Sequence, residues 1–91
     1  MEGELINQLQ ELGFICDWII LNAGGYTHTS VAIADCVASI ATKVIEVHIS
    51  NILNREEFRH SSLVAKSCEG SIIGLGLKGY ELALKYFIEL Q

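Results

Sequence analysis

Two residues apart in the apolar run KVIEVHIS stand a carboxylate and an imidazole, Glu46 and His48. In an extended strand, residues i and i+2 share a side. The carboxylate can therefore hold the imidazole's tautomer and raise its proton affinity, which is an acid/base arrangement. The same spacing also suits a hydrogen-bonded core histidine with its partner. Upstream, Asn22 closes the run WIILN and leads into GGYTHTS, where glycines, hydroxyls and the imidazole of His28 crowd one connection. Connections that close a strand and open a helix are where α/β folds bind ligands; His28 is equally suited to a loop or cap. Downstream, Arg55 and Arg59 follow in NREEFRH, where Arg59 offers a guanidinium fork for a hydroxyl or carboxylate, or a plain solvated helix charge. His28, His48 and His60 lack tight ligand spacing and no Asp or Cys completes them, so no metal is expected. Cys16, Cys36 and Cys68 are far apart with no C-x-x-C, and read as reduced, packed thiols.

These groups need elements to hold them. Leu5, Ile6, Leu9 and Leu12 recur at helical spacing over 2–12, with Glu2 and Glu4 in the first turn and Gly13 just beyond. Residues 17–21 form a compact apolar run that fits a strand covered on both faces. From Thr29 the period becomes helical, through Val31, Ile33, Ala34, Val37, Ala38 and Ile40, with Thr27, Thr29 or Ser30 available as the cap. Residues 43–50 are β-branched and predict a second strand. Residues 54–60 suit a short polar helical turn, 61–70 are ambiguous, 71–77 predict a third strand and 80–90 a closing helix. Strands that alternate with helices imply crossovers and a three-stranded parallel sheet in a single domain, 1–91. Such a sheet has two open edges, and Gly74 and Gly76 in its third strand mark close backbone packing.

The totals narrow the function classes. Apolar residues make up 51% of the chain and charged residues 19%, against about 45–50% and about 25% in ordinary domains. Part of the apolar surface is thus expected to be covered by another subunit. The net charge of −5, with six scattered Lys and Arg, argues against a nucleic-acid partner. No run approaches the apolar length of a membrane span, and MEGELINQ has neither a basic n-region nor an apolar h-region, so a cytoplasmic protein is expected.

The segments NAGGYTHTSVAIADC, VIEVHISN, REEFRHSS and GSIIGLGLKGYELAL, in this order and at compatible spacing, resemble the type II 3-dehydroquinate dehydratases of the shikimate and quinate pathways. The likeness runs from Glu2 almost to the C-terminus. It implies a flavodoxin-like three-layer α/β fold with a parallel sheet, here reduced to about three strands, and a trimer-based homo-oligomer that reaches a dodecamer. It further implies a cofactor-free trans elimination of water from 3-dehydroquinate, giving 3-dehydroshikimate. By the same resemblance His48 is the general acid and Glu46 its orienter. Asn22, His28 and Arg59 hold substrate hydroxyls, backbone N–H groups of Ile49 and Ser50 receive the carboxylate, and Asp35 reaches a neighbouring subunit's site. The family also begins with a strand and a lid that bears a catalytic Arg and a Tyr base, and no segment here matches them. The isolated chain is therefore expected to be inactive, with that segment supplied separately. The alternative is a degenerate, non-catalytic paralogue or assembly module that keeps part of the pocket.

Overall fold

The computed structural model describes residues 2–51 and 62–90. The elements are α1 (Glu2–Leu12), β1 (Trp18–Leu21), a short 3-10 helix (Gly24–His28), α2 (Val31–Ser39), β2 (Lys43–His48), a single 3-10 turn (Ala65–Ser67), β3 (Gly70–Ile73) and α3 (Lys78–Leu90). The polar segment 54–60, and Arg55, Arg59 and His60 with it, lies outside the described residues. Both strand pairings are parallel, in the order β1-β2-β3. The chain is thus an α/β fold with a three-stranded parallel sheet, as its strand and helix periods predict, and its helices cover the sheet in three layers, as the family resemblance implies.

Period-2 alternation builds the layers. Ile19, Leu21 and Val44 turn toward α1 and α2, where they pack with Leu9, Ile33, Cys36, Val37 and Ile40. Trp18, Ile20, Ile45, Val47 and Ile72 turn toward α3 and meet Ala83 and Phe87. On α3 the buried residues Gly79, Ala83 and Phe87 fall one turn apart, so one stripe faces the sheet. The Phe87 ring stacks on Trp18 with centroids 5.5 Å apart and planes 7° from parallel. Burying an aromatic side chain of this kind stabilises by about 1.5–3 kcal/mol.

Three expectations change on contact with the fold. The first strand is not covered on both faces: Trp18, Ile19 and Ile20 are half-buried and only Leu21 is buried, because β1 lies at an edge of the sheet among the described residues. GGYTHTS is not an open loop, since its first five residues wind into 3-10 turns. Ser30 is the helix cap among the three candidates; its Oγ accepts the Ile33 N–H at 3.0 Å and donates to Glu2. The second and third strands are also shorter than their apolar runs. At Gly74 (φ 85°) and Gly76 (φ 61°) the backbone enters the left-handed region, which glycine occupies without Cβ strain. That turn carries the chain across the tip of β2, where the Gly74 N–H donates to the His48 carbonyl at 3.0 Å and the Gly76 N–H to the Ile49 carbonyl at 2.8 Å.

Candidate active site

Glu46 and His48 lie on the same side of β2, as their spacing requires, with 2% and 6% of their surfaces exposed. A buried carboxylate must be compensated, and hydroxyls from three separate parts of the chain do this. The Ser71 Oγ–H donates to Glu46 Oε1 at 2.8 Å, while Thr27 Oγ1 and Ser62 Oγ lie 2.9 and 3.0 Å from Oε2 and are also hydrogen-bonded to each other, so at least one of the two donates to that oxygen. His48 Nε2 stands 3.2 Å from Oε2, an ion pair when the ring is protonated. It is the one buried side-chain nitrogen or oxygen among the described residues with no hydrogen-bond partner. Burial pushes the Glu46 carboxyl up, but the contact with His48, the Ser71 and Thr27 hydroxyls and the imidazole's charge outweigh it. Glu46 is therefore held below its ordinary value and stays ionised inside the core. The carboxylate thus backs the imidazole through Nε2 and fixes the ring at the strand tip.

The remaining predicted residues divide. The His28 ring, at the end of the 3-10 helix, stacks on His48 with centroids 6.4 Å apart and planes 24° from parallel; these two and Glu46 form one group. Ile49 and Ser50 follow directly at the β2 tip and are exposed. Asn22 is exposed at the β1 tip, where its Oδ1 accepts the Gly24 N–H and its Nδ2 donates to the Tyr80 hydroxyl, both at 2.9 Å. It lines an open cleft of about 580 Å³ with Glu4, Gln8, Tyr26 and Tyr80, and neither His28 nor His48 is among the lining residues. Asp35 is exposed on α2, and Arg59 falls outside the described residues. Sequence reasoning missed Thr27, Ser62, Ser71 and Tyr80. The signal for Ser71 was available, because β2 and β3 pair Glu46 directly with Ser71 and parallel neighbours share a face. The other three meet their partners only through tertiary folding.

Cys68 sits beside this group. Burial first, and then the Glu46 charge, push its thiol up to about 12, so it is an inert donor to the Val64 carbonyl rather than a nucleophile.

Comparison with known proteins bears on the same residues. The family model described as Dehydroquinase class II matches residues 1–88. A 3-dehydroquinate dehydratase of Campylobacter jejuni subsp. jejuni is 54% identical over 89 residues, which are 98% of this chain and 56% of that protein. One of Bacillus pumilus is 51% identical over 87 residues, 96% of this chain and 59% of the other. Among solved structures, the type II dehydroquinase from Butyrivibrio crossotus superposes with a TM-score of 0.93 at 49% identity, over 97% of this chain and 62% of that one. The type II dehydroquinase from Propionibacterium acnes gives 0.90 at 40% identity, over 98% and 65%. The chain thus spans somewhat more than half the length of the curated relatives it matches.

Proposed function

The chain belongs to the class II dehydroquinase family, and from that premise we propose that it carries the acid half of a dehydratase site, for the elimination of water from 3-dehydroquinate. His48 gives the proton to the departing hydroxyl, and Glu46 holds the imidazole in place and balances its charge. Asn22, His28 and Arg59 bind substrate hydroxyls, and the N–H groups of Ile49 and Ser50 bind the carboxylate. Asp35, exposed on α2, faces a neighbouring copy in a trimer-based assembly. One observation carries this reading: a buried imidazole whose Nε2 stands 3.2 Å from a buried carboxylate held below its ordinary value, at the tip of a parallel strand.

No segment of this sequence matches the family's lid with its Tyr base, so the purified chain alone should show negligible turnover of 3-dehydroquinate. The test joins the N-terminal portion of the Campylobacter jejuni relative to residues 1–91 and follows the conjugated-enone absorbance of the product. We expect turnover in the chimera and a drop of about 100-fold or more for His48→Ala, with Cys36→Ala close to the parent. A folded chimera that binds 3-dehydroquinate but never converts it would point instead to a non-catalytic module. Equal losses for the two substitutions would remove His48 from the acid's role.

A further inference from the structure

The three hydroxyls on Glu46 come from parts of the chain that share no local structure. Thr27 belongs to the 3-10 helix after β1, Ser62 precedes the Ala65–Ser67 turn, and Ser71 is on β3. Each is also fixed by a second constraint. The Thr27 side chain is fully buried and its carbonyl accepts the Leu63 N–H at 2.7 Å. The Ser62 Oγ accepts the Ala65 N–H at 3.0 Å and lies against Thr27 Oγ1. Ser71 is held in register opposite Glu46 by the β2–β3 ladder. Their hydroxyls are therefore preorganised to donate, and what they meet is an acceptor-only group. A protonated Glu46 would lose the donation of Ser71 to Oε1 or of the Thr27–Ser62 pair to Oε2.

We propose that Thr27, Ser62 and Ser71 are positioning residues that keep Glu46 a carboxylate inside the core and aim its Oε2 at His48. The groups that face Glu46 are His48 from its own strand, Thr27 from the 3-10 helix, Ser71 from β3, and Ser62 and Cys68 from the segment before β3; His28 stacks behind His48. No lysine or arginine of the described residues pairs with it. The hydroxyls thus do the work that a fixed cation does elsewhere, without placing a second permanent charge next to the imidazole. The link to turnover rests on the dehydratase reading of His48. The ionisation of Glu46 does not, so the two can fail separately.

The experiment uses the 91-residue chain with carboxyl-labelled glutamate and no ligand, and follows the Glu46 resonance by NMR as pH is lowered. In Ser71→Ala and Thr27→Val its titration midpoint should rise by about one pH unit, and Thr27→Ser should return it to the parent position. Midpoints unmoved in folded variants would overturn the proposal, because hydroxyls that serve packing alone leave the carboxyl's titration where it was. Should Thr27→Val not fold, Ser71→Ala decides, since Ser71 is on the exposed side of an edge strand. Should acid unfold the chain first, unfolding by urea at neutral and at acid pH replaces the titration. A deficit in Ser71→Ala that shrinks on acidification supports the proposal, and an equal deficit at both overturns it.

Discussion

At the level of single residues, Glu46 shows how much a spacing of two can say and where it stops. The strand period placed the carboxylate and the imidazole on one side, and the 3.2 Å contact follows from it. What the spacing could not supply was the reason a carboxylate survives burial, because Thr27 and Ser62 reach it from 19 and 16 residues away. Asn22 was legible as a polar strand end, but its engagement with Tyr80 spans 58 residues and had no local trace. The substitution Glu46→Gln isolates the charge, since it keeps the shape and introduces an amide that donates toward hydroxyls already donating. We expect it to cost about 1–3 kcal/mol at neutral pH, measured by urea unfolding. The sign with pH follows from the depressed carboxyl. Its contribution is fully present above the carboxylate's unfolded pKa and is lost as pH falls through the lower folded one. The gap between parent and Glu46→Gln should therefore be widest at neutral pH and close on acidification. A constant gap would mean that shape, not charge, carries the effect.

At the level of elements, the ends of α1 coincide with its apolar period and with the acidic first turn that the sequence offered. The apolar run 71–77 misled because hydrophobicity does not report backbone handedness: β3 stops at Ile73, and the glycines beyond it turn the chain over β2. The burial of β1 misled for another reason, since a run apolar on both sides says what a strand could cover and not what lies beside it. Helix α3 carries the sharpest test of packing. Alanine suits a helix interior better than glycine by about 1 kcal/mol. At Gly79, however, an added Cβ would stand 2.9 Å from Val47 Cγ1 and 3.4 Å from Ile72 Cγ2. Val47 is β-branched and fully buried, so it has little freedom to yield. Gly79→Ala should therefore destabilise by about 1–2 kcal/mol. Gly3→Ala, which meets nothing within 4 Å, should be neutral or stabilising by up to about 1 kcal/mol. Thermal unfolding of the two variants should move in opposite directions; a shared direction would show that helix propensity, not the approach of α3 to the sheet, governs both.

At the level of the whole molecule, the sequence announced a sheet with open edges and more apolar surface than so small a domain can bury. Both features are present. Strands β1 and β3 each pair on one side only among the described residues, and Ile15 (76%), Leu77 (73%), Phe14 and Val31 stand well exposed. On α3, Leu84 and Ile88 lie one turn apart and both face outward, opposite the stripe that meets the sheet. No helix of the described residues is long and apolar enough to cross a membrane, so these surfaces are not explained by a helical span. Such surfaces gain by being covered, and copies of one chain do so most economically through closed rotational symmetry. The proposed trimer makes a definite prediction. Sedimentation equilibrium should return a mass that is a multiple of three subunits, and dilution should lower it only through a cooperative loss of folded structure, because the exposed faces lose their cover together. A mass of one subunit, unchanged across concentration and with folding intact, would show that the apolar surface is tolerated by the single chain, and would remove Asp35 from any role in a neighbour's site.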